Sequence, residues 1–318
     1  MDEMQKIPRI IAVDPGKFAT KAATNRTDGV ERFLTFRTKM EETLRTEAQG
    51  KSYVVQYEGK RYLLGEQAEV ASAKSTKAEE IHRIATYTAL HQLANGEDSI
   101  IVGVGCPLSI YENAITKEAY KEFLFPSRQI EIKVNGTTKR LNILRAIIFP
   151  ESSGIIYLEK SRYENTSVGI VDIGGLNVNC CVYNKTVPVL STLFTENLGS
   201  NVLTQNLKNA LSTKYGEDIP QWMMDDILRD GYVVDNMTST GIREGSKEFI
   251  ADFKKKHIQS IIKKCEANGW NLRLTKLVFT GGTSELLREE IKEVIPGATI
   301  CEEAEKTNVR GFLKALTE

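Results

Sequence analysis

Two aspartates, each followed within two residues by glycine, end short apolar runs about half a chain apart. Asp14 precedes Gly16 within residues 10–21, and Asp172 precedes Gly174 and Gly175 within residues 168–179. A carboxylate at a strand end is a hard oxygen ligand suited to Mg²⁺ or to its coordinated water. A glycine turn lets backbone N–H groups approach phosphate oxygens with no Cβ in the way. Lys17 and Lys21 add positive charge beside the first turn. Either turn alone is equally the mark of an ordinary hairpin whose Asp and Gly only shape it. The pair predicts two related domains closing on one nucleotide, with Asp14 and Asp172 holding its metal through water.

A third glycine pair, Gly281-Gly282 followed by Thr283, comes after an apolar strand and opens a helix. Its backbone suits close approach to a flat base or ribose, and a helix N-terminus favours a nearby anion. None of the three turns has the G-x-G-x-x-G spacing of a dinucleotide-binding fold, and no P-loop signature is present.

The chain that must position these residues has 318 of them, 41% hydrophobic and 26% charged, as expected for two globular domains. Forty-two basic residues balance 42 acidic ones, so no whole-chain attraction to DNA is implied. The five cysteines, Cys106, Cys180, Cys181, Cys265 and Cys301, form no C-x-x-C pair, and with three histidines they argue against zinc. They suit reduced thiols in the cytoplasm. Residues 1–9 are polar and carry no signal-peptide apolar run, and nothing predicts a membrane span.

Hydrophobic periodicity predicts strands over 9–14, 18–23, 30–36, 100–104, 130–134, 141–149, 187–194, 276–280 and 298–301. Helices are expected over 77–94, 115–125, 155–160, 199–211, 222–228, 247–268 and 308–316. Residues 37–80, with a hairpin-like segment at 53–64, read as a small inserted subdomain. The Lys254-Lys255-Lys256 run reads as a solvated helix face. The organisation is a first domain over 1–160, with the insertion at about 37–80 and the C-terminal helix 305–318. A second domain covers 161–304, with a subdomain at about 205–272.

The two Asp–Gly hairpins, the strand-Gly-Gly-helix, Pro150-Glu151-Ser152-Ser153-Gly154 and Asn308-Val309-Arg310-Gly311-Phe312 stand in an order that resembles the actin-like ATPase superfamily. Within it, the chain is most similar to ParM-type bacterial plasmid-segregation actins, with archaeal actin-like proteins close. The resemblance implies an α/β, actin-like (ribonuclease H-like) two-domain fold with nucleotide in the interdomain cleft. It implies an ATP or GTP hydrolase with Mg²⁺ that polymerises head to tail. Such a filament moves plasmid DNA through a DNA-binding adaptor on centromere-like sites, without touching DNA or membrane itself. The alternatives are a non-polymerising nucleotide switch and a small-molecule kinase on the same fold.

By the same resemblance, Asp14, Gly16, Lys17, Thr20 and Lys21 form the first phosphate turn, and Gly174, Gly175, Leu176 and Asn177 the second. Gly199 and Ser200 lie on the ribose side, Arg243 and Lys247 border the base, and Gly281, Gly282 and Thr283 receive the adenosine. Catalysis falls to Glu151, which orients or deprotonates the attacking water, and to Asp172 at the metal. Glu151 is otherwise a helix-start carboxylate favoured by the helix dipole. Where relatives often have Thr after Gly-Gly and then Asp, this chain has Leu176-Asn177-Val178-Asn179. That leaves phosphate contacts there to backbone N–H groups.

Overall fold

The structure, a computed structural model, describes residues 7–25, 30–71, 77–95 and 99–318. Residues 1–6 of the polar N-terminal stretch and residues 72–76 of the expected insertion lie outside the described residues. The chain divides into two compact units, Met1–Glu159 with Asn308–Glu318, and Lys160–Thr307.

The first unit is built on β1 (Arg9–Pro15), β2 (Ala19–Asn25), β3 (Glu31–Arg37), β4 (Met40–Glu42), β5 (Ser52–Tyr57) and β6 (Lys60–Gly65). Helix α1 (Glu80–Leu93) leads to β7 (Ser99–Cys106), then α2 (Leu108–Tyr111), α3 (Ala114–Leu124), β8 (Gln129–Val134), β9 (Thr137–Pro150) and α4 (Gly154–Leu158). Nine strands form one sheet in the order β3-β2-β1-β7-β9-β8-β5-β6-β4. The β-branched centre is parallel, β1 with β7 and β7 with β9, and Ile11, Val13, Val102 and Val104 are fully buried. Parallel strands need both faces covered, which is why these runs are apolar throughout. The parallel strands all end at one edge, so Asp14, Cys106 and Glu151 arrive there together.

Residues 137–150 form one strand rather than starting at 141. The first part of β9 pairs with β8 and the rest with β7, so the β4–β6 hairpins extend the main sheet through β8 and β5. Helix α1 packs on β1 and β2 with Ile81, Ile84, Ala85, Thr88 and Leu93 buried.

The second unit holds α5 (Lys160–Tyr163), β10 (Ser167–Ile173), β11 (Val178–Asn184), β12 (Val187–Pro188), β13 (Phe194–Glu196) and α6 (Ser200–Tyr215). Then come α7 (Met224–Asp230), α8 (Ser246–Ala267), β14 (Lys276–Thr280), α9 (Gly282–Leu286), α10 (Arg288–Val294) and β15 (Thr299–Ile300). Its sheet runs β12-β11-β10-β14-β15, with β13 also on β11. The last helix, α11 (Thr307–Thr317), packs on the first unit, where Phe312 stacks on Phe149 at 5.0 Å. A Cβ at Gly311 would sit 2.1 Å from the Gly154 carbonyl oxygen, so only glycine admits this approach.

Two sequence expectations fail here. Residues 187–194 are not one strand: two short strands flank a 3₁₀ turn at Leu190–Thr192. Pro188 lacks a ladder donor, and Thr192 Oγ1 accepts from Val182 N and donates to Val189 O, replacing strand pairing. Nor is Lys254 solvated. It is 5% exposed, with Nζ 3.6 Å from Glu290 Oε1 on α10. Lys255 pairs with Glu293 at the same interface.

All three histidines are buried and held below their ordinary pKa of 6.5 by desolvation. His82 falls to about 3, with Lys77 and Lys17 adding to the shift. His91 falls to about 4 and His257 is lowered. The unfolded chain takes protons near pH 6.5 that the folded chain refuses, so stability is complete above 6.5 and falls as pH falls below it. For His82 and His91 the slope below pH 6.5 approaches about 1.4 kcal/mol per pH unit each, and His257 adds in the same direction. Urea unfolding between pH 7.5 and 5 measures it, and a flat profile contradicts it.

Candidate functional site

In the first unit, β1 runs into a tight turn in which Gly16 N donates to Asp14 O at 2.9 Å. A Cβ at Gly16 would meet Ala19 O at 2.6 Å. Thr38 braces the turn from below. Its hydroxyl donates to Gly16 O at 2.6 Å and lies 2.9 Å from Thr20 Oγ1. Thr20 is fully buried, with its hydroxyl in this brace. Lys21 lies opposite Asp14 across the β1–β2 ladder, which puts both on one face of the sheet.

The charged centre of this unit is a triad that spacing alone does not reveal. Lys77 donates from Nζ to Glu151 Oε1, and the same nitrogen lies 3.8 Å from Asp14 Oδ1. Lys77 is 4% exposed, and Asp14 and Glu151 are 7% exposed. Burial by itself would discharge Lys77. The negative charges of Glu151 and Asp14 outweigh it and hold the ammonium above its ordinary pKa. Burial pushes the Glu151 carboxyl up, with Lys77 opposing. Lys17, at the turn, is lowered by burial and by the like charge of Lys77.

Glu151 is fixed through its own backbone. Its N–H donates to Cys106 O at 2.8 Å, which extends the β7–β9 pairing to the very end of the sheet. Ser152 follows with φ 66°, a left-handed conformation that a non-glycine residue adopts only at a cost of about 1–3 kcal/mol. Ser153 Oγ donates to Pro150 O at 2.6 Å, closing the corner. The one sequence hint for Lys77 was its place three residues before α1, where a helix dipole disfavours a cation.

In the second unit the residues after Asp172 form a cradle. The first turn of α6 spends its amides on this loop. Ser200 N donates to Gly174 O at 3.1 Å, Asn201 N to Gly175 O at 2.8 Å, and Gly199 N to Leu176 O at 3.0 Å. Thr283 Oγ1 also donates to Gly174 O, at 3.0 Å. A trans peptide points its carbonyl and the next N–H in opposite directions. With three successive carbonyls held toward α6, the N–H groups of Gly175, Leu176 and Asn177 are turned the other way. Among the described residues, none of the three donates to a protein acceptor. Successive free N–H groups of this kind form an anion-binding concavity.

The third glycine element locks against the same cradle. Gly281 has φ 84°, and a Cβ there would fall 2.4 Å from both Asp172 Oδ1 and Ile173 O. Gly199 is equally restricted, since its Cβ would meet the Leu176 carbonyl carbon at 2.5 Å. Gly282 opens α9, and a Cβ there would lie 3.4 Å from Glu305 Cβ. Asp172, Gly174, Gly175, Leu176, Asn177, Gly199, Ser200, Gly281, Gly282 and Thr283 are thus one assembly. Arg243 and Lys247 have another set of partners. Arg243 donates to Asp235 Oδ2 at 3.1 Å and lies 4.9 Å from the Tyr215 ring centre, and Lys247 lies 5.7 Å from that of Tyr232.

Among the described residues no cluster of three or more His, Cys, Asp or Glu side chains could hold a metal ion by itself. Mg²⁺ in phosphate sites needs only one or two carboxylates, with water and phosphate oxygens supplying the rest. Asp14 Oδ1, buried and without a hydrogen-bond partner, fits that requirement.

With the geometry established, comparison with known proteins gives consistent results. Residues 12–154 match the family of actin-like proteins, N-terminal domain. An archaeal actin homolog from Thermoplasma volcanium is 22% identical over 207 residues, covering 63% of this chain and 62% of that protein. The match therefore spans less than two thirds of the length of this curated relative. The Alp12 filament structure is 28% identical, with a TM-score of 0.73 over 97% of this chain and 98% of that one. A crystal structure of an archaeal actin homolog in complex with ADP is 19% identical, with a TM-score of 0.75 over 97% and 99%. The fold is the actin-like α/β fold. The resemblance read from the ordered segments holds at the level of the actin-like ATPase superfamily.

No helix of the described residues is long and apolar enough to cross a membrane.

Proposed function

We propose that this chain is an ATP- or GTP-hydrolysing actin-like protein of the cytoplasm, one that assembles head to tail and segregates plasmid DNA through a DNA-binding adaptor. The observation that carries the nucleotide reading is the set of free N–H groups at Gly175, Leu176 and Asn177 beside Asp172. It is an anion cradle needing no side-chain hydroxyl. Assigning both turns to one nucleotide comes from the superfamily resemblance, as does the adaptor. The filament structure of Alp12 and the ADP complex of an archaeal actin homolog support assembly and nucleotide binding.

In this reading Asp14 and Asp172 hold Mg²⁺ through water, and the ion neutralises charge on the terminal phosphates when bound. Phosphoryl transfer depends on positioning and charge stabilisation more than on covalent help. Gly16, Lys17, Gly174, Gly175, Leu176 and Asn177 hold phosphate, and Lys21 adds charge. Glu151 orients the attacking water, with Lys77 fixing its carboxylate. Gly281, Gly282 and Thr283 receive the adenosine, while Arg243 and Lys247 border the base. A head-to-tail contact that does not close yields an open filament, and nucleotide state biases it only through differential affinity.

Light scattering and phosphate release, followed together after adding ATP or GTP with Mg²⁺, test the proposal. The expected result is a scattering rise above a threshold protein concentration, then phosphate release and decay, all lost with EDTA. Phosphate release without assembly would reduce the function to a non-polymerising hydrolase. Silence in both channels with both nucleotides would remove it.

A further inference from the structure

One buried polar side chain near this site has no role in the reading above. His82 lies in the first turn of α1, fully buried, and neither ring nitrogen has a hydrogen-bond partner. The other two histidines are satisfied. His91 Nε2 lies 2.9 Å from Thr137 O, and His257 Nε2 lies 2.9 Å from Leu198 O. Buried polar atoms are paired in the great majority of cases, with protein or with ordered water. A site lined by several of them is one where water binds.

His82 is not isolated in this respect. Helix α1 packs on β1 and β2 and begins three residues after Lys77, whose ammonium pairs with Glu151 and Asp14. Ser152 Oγ and the Tyr120 hydroxyl are also buried with no hydrogen-bond partner, and Asp14 Oδ1, 3.8 Å from the Lys77 ammonium, accepts no hydrogen bond either. Ser152 adjoins Glu151, and Tyr120 is close enough to Glu151 and Asp14 to feel their charges. Lys77 and Lys17 act on His82 in the same way, and with burial they keep the imidazole neutral. A neutral imidazole offers one N–H donor and one lone pair, so it can both give and receive a hydrogen bond from water.

We propose that His82 is a positioning residue that, with Asp14 Oδ1 and Ser152 Oγ, holds buried water behind the first turn and supplies the water oriented by Glu151. This role rests on the nucleotide hydrolysis proposed above. The alternative is a core histidine with no part in turnover.

The test compares full-length wild type, His82→Leu and His82→Gln for single-turnover phosphate release, affinity for a fluorescent ADP analogue, and thermal midpoint. His82→Leu is expected to slow phosphate release by about tenfold or more, with affinity and midpoint retained. His82→Gln, a neutral donor and acceptor, is expected to keep most of the rate. Wild-type turnover in His82→Leu overturns the role and leaves the proposed function standing. No turnover in wild type removes the function and this role together. If His82→Leu does not fold, a crystal structure of wild type with a non-hydrolysable ATP analogue decides. Water within hydrogen-bond distance of the His82 ring supports the role, and a ring closed on protein groups alone overturns it.

Discussion

Replacing Lys77 with methionine is expected to destabilise the first unit by about 3–5 kcal/mol, the usual result of removing one partner from a buried ion pair. Lys77 is the cation against which both Glu151 and Asp14 are buried, and Met keeps most of its stem volume while removing the charge. Two carboxylates are then left desolvated beside each other, so at least one is expected to take up a proton on folding. The loss should therefore shrink as pH falls toward the carboxylate range, opposite in sign to the histidine-driven trend of the wild type. Both tryptophans, Trp222 and Trp270, lie in the second unit, so far-ultraviolet circular dichroism is the appropriate probe of the first. The double variant Lys77→Met with Glu151→Gln should recover part of the loss, since it neutralises Glu151 and leaves only Asp14 without its cation. An unchanged urea midpoint in Lys77→Met would show that the triad contributes nothing to stability.

The limits of the sequence lie where chemistry depends on distant partners. The hairpins at Asp14 and Asp172 were legible because a β-branched run, an acid and glycine follow one another locally, and local order fixes a strand and its turn. The direction of the Gly175–Asn177 amides was not legible. It is set by Gly199, Ser200 and Asn201 and by Thr283, which is 109 residues from Gly174. Lys77 and Glu151 are 74 residues apart, and neither residue's neighbours announce the other. Periodicity likewise misread residues 187–194, since it cannot see a threonine hydroxyl taking the place of a ladder partner. It misread Lys254, since a lysine run looks solvated until α10 places Glu290 over it. The glycines were half legible. Their presence marked turns, but the reason at Gly199 and Gly281 is the close approach of another backbone segment or of Asp172, not the turn alone.

Glu151→Gln separates a structural carboxylate from a catalytic one. The amide keeps the shape of the side chain and an oxygen that accepts from Lys77, so the corner from Pro150 to Gly154 should stand. What is lost is the negative charge that orients or deprotonates water. Positioned general bases contribute about 10²–10⁴-fold, and a loss of that order in single-turnover phosphate release is the expected result. Nucleotide affinity should be nearly unchanged, because the phosphate cradle at Gly175–Asn177 and the turn at Gly16 do not include this side chain. Filaments should then form at the wild-type threshold and persist, since assembly follows binding while decay follows hydrolysis. The wild-type rate should also fall on the acid side above the ordinary carboxylate range, because a base acts when ionised and burial holds this carboxyl up. Turnover equal to wild type in Glu151→Gln, at equal affinity, would leave Glu151 as the buried partner of Lys77 and nothing more. The attacking water would then have to be oriented by another group of the same sheet edge, with Asp14 the first to test.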